Sequence, residues 1–395
     1  MSENQKPKIL IICDYYLPGY KSGGGMRTIV NMVERMSDRF DFWIITRDHD
    51  GKLDKQQYKT VKINVWNEVR GAKVYYLSRD MVKISKLREL IINVKPKLLY
   101  FNSYFATLAI YVMILRRLKL IPKINVVIAP CGELSEGALN LKSSKKKVFR
   151  INAKVSGLYQ NIIWKASSEI EKKEIEMAIG MGGKIFIAPD LPPKTILADF
   201  QPQMKPGKNV GEAKMIFLSR FMRKKNFKWL LENLSEVQGN LTIDIYGPLE
   251  DELYWKECLP IIEKLSTNIK VESKGASPHE LVLGTLIKYH FFILPTLGEN
   301  FGHVFLEALA CGCPLIISDQ TPWLELEKCG IGWDLSLENP EGWLQTINQC
   351  IGMDDNSYSK ISRSARDFVV RWFEDPEIET NTLTVVNYGL DNRSI

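Results

Sequence analysis

Short runs of consecutive apolar residues recur along the chain, separated by stretches whose apolar residues repeat every three or four positions. The runs predict strands at 8–13, 42–46, 74–77, 98–102, 125–129, 162–166 and 185–188, and the periodic stretches predict amphipathic helices such as 28–36 and 168–179. Strictly alternating strands and helices argue for parallel sheets covered by helices. From 190 to 214 the periodicity stops, and Asp190-Leu-Pro-Pro193 and Gln201-Pro-Gln-Met-Lys-Pro-Gly207 read as a linker. The pattern then restarts, with strands predicted at 215–219, 241–246, 269–272, 291–295, 314–318 and 332–335. Two doubly wound α/β domains in tandem are expected, over 1–195 and 210–372. Sheets of this kind take ligands at the carboxyl ends of their strands, so two such domains facing each other would make a cleft.

At 395 residues, with 45% hydrophobic and 25% charged positions, the chain is long enough for two cores and too apolar to be disordered. The polar start gives no secretory leader. Seven scattered cysteines without a CxxC pair speak against disulfides or zinc, and for a reducing cytoplasm. The net charge of +7 conceals an asymmetry: residues 1–200 carry 34 Lys and Arg against 19 Asp and Glu, whereas 201–395 carry 19 against 27. A basic first half suits an anionic membrane face or a phosphorylated substrate. Nucleic acid is not expected, because no zinc-finger or RNA-binding signature accompanies the charge. Residues 98–115 hold no charge, yet Asn102, Ser103 and Thr107 within them favour a buried strand and helix over a membrane span.

Three constellations could carry chemistry. Ser22-Gly23-Gly24-Gly25 opens a helix after the first strand, where backbone N–H groups can meet an anion; a flexible turn is the plain alternative. Ser219-Arg220-Phe-Met-Arg223-Lys224-Lys225-Asn226 gathers four cations at one strand's carboxyl end within the acidic half. Arg forks phosphate oxygens and Lys adds a point charge, which suits a diphosphate; a solvated basic loop is the alternative. Leu294 to Ser318 is the most specific: a strand, a loop carrying Glu299 and Phe301-Gly302, a helix carrying Glu307, and a further strand. Two glutamates eight apart suit sugar hydroxyls and a ribose diol, although a capping glutamate plus a buried structural one would give the same pair.

The whole 294–318 string resembles the Glu-x7-Glu signature of family 4 glycosyltransferases, of the bacterial surface-polysaccharide type, which have the GT-B fold. Arg220 with Lys225 is similar to that family's Arg-x4-Lys, and Asp14 to Gly25 to its N-terminal glycine loop. Tyr246-Gly247-Pro248 and Lys274-Gly275 stand where its base-binding loops leave their strands. The resemblance implies a retaining transferase that takes a sugar from a nucleoside diphosphate sugar, with no metal or other cofactor. It implies that Arg220, Lys225 and Glu299 are catalytic. Gly24, Gly25, Arg220, Lys225, Gly247, Phe301, Gly302 and Glu307 would bind the donor, Glu307 at the ribose and Glu299 at the transferred sugar. It also implies that a last helix, 376–395, packs back on the acceptor-binding first domain. One departure stands out: many members have a His-Gly pair where this chain has Cys131-Gly132, which leaves Cys131 and Glu133 as acceptor-side candidates. A capping role for Glu133 is the alternative.

Arg116, Arg117, Lys119 and the cluster from Lys142 to Arg150 fit a glycan or lipid-linked acceptor at an anionic bilayer, and thus a cytoplasmic enzyme peripheral on the membrane. Asp48-His49-Asp50 has the form of a metal–nucleotide motif of another glycosyltransferase fold, but its polar loop reads as a solvated turn. His303 is either near the phosphates or on the surface at a helix start; His279 and His290 read as structural. Two other functions remain open: an inactive, donor-binding member of a polysaccharide assembly complex, suggested by Cys131, and a nucleotide-sugar epimerase.

Overall fold

The computed structural model describes residues 6–20, 22–51, 54, 56–140, 143–180, 183–194 and 205–391. Lys21, Lys142, the middle of the expected linker (195–204) and the last four residues of the expected 376–395 helix lie outside them. The chain forms two compact units, Met1–Lys194 with Pro376–Ile395, and Thr195–Asp375.

The first unit is an eight-stranded sheet in the order β3-β4-β2-β1-β5-β6-β7-β8. Its strands are β1 (Lys8–Ile12), β2 (Asp41–Arg47), β3 (Trp66–Val69), β4 (Ala72–Leu77), β5 (Leu98–Phe101), β6 (Asn125–Ile128), β7 (Ile163–Ala166) and β8 (Lys184–Ile187). All neighbours pair in parallel except β3, which runs antiparallel to β4 at one edge. That edge departs from the expected all-parallel sheet. Four residues ending at Arg70-Gly71 are too short to register as an apolar run, and Trp66 holds them in place by packing edge-on against Trp43 and Tyr75 at 4.6 and 5.2 Å. The central strands are buried on both faces, as helix-covered parallel strands must be. The uncharged stretch from Leu98 is β5 followed by the Thr107–Arg117 helix. Among the described residues no helix is long and apolar enough to cross a membrane.

The Gly24–Met36 helix buries Met26, Ile29, Val30, Val33 and Met36, a stripe at three- and four-residue spacing. Each such side chain taken from water contributes about 1.5–3 kcal/mol. Its neighbouring face is polar but also buried. Thr28 Oγ1 donates to Asp190 at 2.6 Å, Asn31 Nδ2 to Leu191 O at 2.7 Å, and Arg35 Nε to Pro192 O at 2.7 Å. The start of the expected linker is therefore tied to this helix. The Pro376–Asp391 helix lies against β6 and β7, where Asn125 Nδ2 donates to Gly389 O at 2.7 Å, and Arg39 pairs with its Glu379 at 3.2 Å.

The second unit has six parallel strands in the order β11-β10-β9-β12-β13-β14. These are β9 (Glu212–Leu218), β10 (Asn240–Tyr246), β11 (Ile269–Gly275), β12 (Phe291–Leu294), β13 (Leu315–Ser318) and β14 (Gly332–Leu335). The order is that of a doubly wound Rossmann sheet, with its topological switch between β9 and β12. Lys208, from the far end of the expected linker, is buried here and donates to the carbonyls of Asn209, Ile351 and Met353.

Candidate functional site

At the switch point the loops after β9 and β12 leave from adjacent strands and meet. Leu297 N and Thr296 Oγ1 both donate to Lys224 O, at 2.8 and 3.2 Å. This seats the short helical turn Arg223–Lys225 under the 295–302 loop. The Lys225 ammonium consequently pairs with the Glu299 carboxylate, with only 10% and 22% of the two side chains exposed. Burial pushes the Glu299 carboxyl up, but Lys225, with help from Lys224 and Arg220, outweighs it and holds the group below the ordinary carboxylate range. Arg220 lies across the same strand end and donates from Nη1 to both Glu250 oxygens, at 3.1 and 3.2 Å. Arg223 is taken up by Glu257 and Asp251, so Arg220, Arg223 and Lys225 have distinct acidic partners.

Gly247, after β10, sits at φ 138°, and a Cβ there would fall 1.9 Å from Ser219 O. Only glycine lets the β10 loop lie directly against the Arg220 segment. After β12, Phe301 is buried against His303 and Trp323, and Trp323 Nε1 donates to Phe301 O at 2.6 Å. Gly302 then turns the chain at φ 83° into the His303–Ala310 helix. One turn along that helix, the buried Glu307 carboxylate meets His279 Nε2 at 2.8 Å. His279 comes from the loop after β11, so it belongs to the site although its sequence reads as structural. Its isolated position gives no signal, because the pairing exists only once β11 and β12 share a sheet. His303 is buried rather than at the surface.

The first unit has its own switch point, between β1 and β5. Asn102, at the end of β5, donates through Nδ2 to Gly25 O and accepts from Cys131 Sγ at 3.3 Å. It thereby links the glycine-led helix, including Gly24 and Gly25, to the turn after β6. Cys131 stands in the left-handed region at φ 52°. Burial, with Asp190 and Glu171 nearby, pushes its thiol well up. Glu171 accepts from Gly132 N at 2.7 Å, and the buried Lys165 pairs with Asp190 at 2.6 Å. Glu133 accepts from Ser103 Oγ at 2.8 Å and from the N–H groups of Tyr104 and Phe105 at 2.7 and 3.0 Å. Burial raises its carboxyl, against those hydrogen bonds. Its oxygens are used by the loop that precedes the Thr107–Arg117 helix, so it braces that loop rather than capping the helix, whose N-cap Ala106 has no side-chain cap hydrogen bond.

Asp48, His49 and Asp50 are buried, not a solvated turn. Asp48 meets His49 Nδ1 at 2.8 Å and Gln57 Nε2 at 2.6 Å, while Asp50 accepts from Tyr20 N at 2.7 Å. Asp50 thus braces the loop that leads into the glycines. Beside this cluster a cavity of about 780 Å³ opens among Gln57, Tyr58, Lys59, Arg79 and Asp80 at the ends of β2 and β4. It is lined by residues of the first unit, Asp48 among them. Arg116 and Arg117 donate to the carbonyls of Gln160, Asn161 and Ser156, so these two bind the chain itself rather than standing as a free basic face.

Comparison with known proteins adds to this geometry. Residues 201–368 match the family model of glycosyl transferases group 1. The chain is 23% identical over 337 residues to one component of the phosphatidylinositol N-acetylglucosaminyltransferase of Arabidopsis thaliana, covering 79% of this chain and 67% of that protein. Sucrose-phosphate synthase from Thermosynechococcus elongatus superposes with a TM-score of 0.70 at 14% identity, covering 97% of this chain and 99% of that one. Anabaena HepE, solved with UDP and glucose, gives 0.66 at 16% identity with the same coverage. Both likenesses show the fold, which is GT-B, with two Rossmann-like domains. With that fold and the match over its second unit, the chain is a glycosyltransferase.

Proposed function

We propose that the protein is a retaining, family 4 type transferase that moves a sugar from a nucleoside diphosphate sugar to an acceptor hydroxyl of a lipid-linked or polysaccharide-precursor glycan. The observation that carries this reading is the convergence of Arg220, Lys225 and Glu299 at the β9–β12 switch, with Glu307 on the helix that follows. In this reading Glu307 accepts from the ribose diol, and Phe301, Gly302 and Gly247 shape the nucleotide's seat. Glu299 orients the hydroxyls of the transferred sugar. Arg220 and Lys225 stabilise charge growing on the departing diphosphate without a metal, and Gly24 and Gly25 offer backbone N–H groups to the distal phosphate. Preorganised cations of this kind lower the barrier because they need no reorganisation as charge develops. No enzymic nucleophile stands out in the sequence, so attack by the acceptor hydroxyl from the face the diphosphate leaves is preferred to a covalent intermediate.

HepE was solved with UDP, which makes uridine diphosphate sugars the first donors to test. The basic charge of the first half favours an anionic acceptor, and hence work at the cytoplasmic face of a membrane. The intact set of Arg220, Lys225, Glu299 and Glu307 favours an active enzyme over an inactive donor-binding partner. Thermal-shift screening of nucleotide sugars identifies the donor, since a ligand at 100 times its dissociation constant stabilises by about 2.7 kcal/mol. Release of nucleoside diphosphate only with acceptor present, and an α-linked product from an α-linked donor by NMR, support the reading. Epimerised donor, or no release with any acceptor, would count against it.

A further inference from the structure

We propose that the Ser143–Val155 helix is a membrane-docking element that lays its outer face on an anionic bilayer. Its inner face is set by spacing: Lys146, Phe149, Arg150 and Ala153 turn toward the first unit. Lys146 donates to Ala138 O and lies 5.0 Å from the centre of the Phe105 ring, and Arg150 donates to Ala178 O at 3.0 Å. The opposite face holds Val148, Ile151 and Val155, three and four residues apart, with 59%, 53% and 84% of their surfaces exposed. At 100° per residue these three fall within one narrow stripe. Lys147 and Lys154 border it on one side and Lys145 on the other, all exposed. The helix carries five cations and no acid.

A folded protein has no reason to display three aliphatic side chains in register unless something covers them. The charge selects the occupant: an apolar stripe between lysine borders fits the boundary between acyl chains and anionic headgroups. The patch continues past the helix end. Arg117 Nε donates to Ser156 O at 2.6 Å, one residue beyond Val155, and Leu118 and Leu120, just after Arg117 in the chain, are exposed. Three side chains and a few lysines give weak, reversible and salt-sensitive attachment, because surface charges are screened over about 8 Å at physiological ionic strength.

The inference rests on the lipid-linked acceptor only for its purpose, and its test is separate. The full-length protein is sedimented with vesicles of phosphatidylcholine alone or equimolar with phosphatidylglycerol, at low and high salt. Binding is expected to the anionic vesicles at low salt and to fall at high salt. Lys145→Gln, Lys147→Gln and Lys154→Gln should each weaken partitioning roughly fivefold, and Ile151→Asp at least as much, while Ile151→Leu keeps it. Unchanged melting and unchanged nucleotide binding confirm that these surface variants fold. No binding to anionic vesicles at low salt, or Ile151→Asp binding as well as wild type, overturns the proposal. So does a concentration-dependent dimer that Ile151→Asp abolishes without vesicles, which would give the face to a second copy. Donor turnover with a water-soluble acceptor is read in parallel; its failure alone would overturn the transfer reading and leave the docking intact.

Discussion

Replacing Lys225 with Met removes the cation from a largely buried ion pair and leaves its stem. Glu299 then has burial pushing its carboxyl up and only the more distant Lys224 and Arg220 holding it down. Breaking a fully buried pair costs about 3–5 kcal/mol. With 22% of the Glu299 side chain still exposed, the expected cost is nearer 2–3 kcal/mol. In a domain of this size each kcal/mol moves the melting midpoint by about 2–4 °C, so Lys225→Met should melt roughly 5–10 °C lower at neutral pH. The pH dependence has a definite sign. A carboxyl held below its ordinary 4.5 stabilises the fold above that value, and this is lost as pH falls through the folded value. The gap between wild type and Lys225→Met should therefore be full at neutral pH and close as the solution is acidified below about 4.5. Calorimetric melts from neutral pH down to about pH 3.5 follow it. Equal midpoints at neutral pH, or a gap that widens on acidification, would refute the reasoning.

Glu307→Ala should weaken nucleoside diphosphate binding, whereas Glu299→Ala should mainly lower turnover, because only the second touches the sugar that changes in the transition state; titration and steady-state rates separate the two. Gly247→Ala forces a Cβ against Ser219 O at a φ that side chains avoid, so a loss of about 2–3 kcal/mol and a displaced Arg220 segment are expected, read by melting and by nucleotide affinity. The thiol of Cys131, pushed well above its ordinary value by burial, should resist iodoacetamide at pH 8 under conditions that alkylate the exposed Cys329; mass spectrometry of the digested protein decides it.

Much of the fold was legible because central parallel strands covered by helices are written as apolar runs, and only one of the described strands lacks a parallel partner. The exception, Trp66–Val69, is held by aromatic packing across strands, which no local pattern reports. Glu299 and Glu307 stood out because a loop and the helix after it fall within one short string. What could not be read were partners supplied from afar. Asp48-His49-Asp50 looks like a solvated turn by composition, yet Gln57, Tyr58 and the Tyr16–Tyr20 turn close over it. Arg116 and Arg117 look like a basic patch until the loop 156–161 is placed beneath them. The Val148–Ile151–Val155 stripe was hidden by its lysines, because only the structure says which side of an amphipathic helix is already occupied.

The central claim is that Arg220 and Lys225 hold a donor diphosphate without a metal. It is tested most directly by calorimetric titration of UDP, with GDP and ADP beside it, in excess EDTA. Charge-assisted hydrogen bonds contribute about 1.5–3 kcal/mol each, so the double variant Arg220→Ala/Lys225→Ala should lose at least about a hundredfold in affinity. One of these nucleotides is expected to bind the wild-type protein in EDTA, and the double variant to bind it that much more weakly. No binding of any of the three in EDTA, or equal binding by the double variant, would contradict the claim.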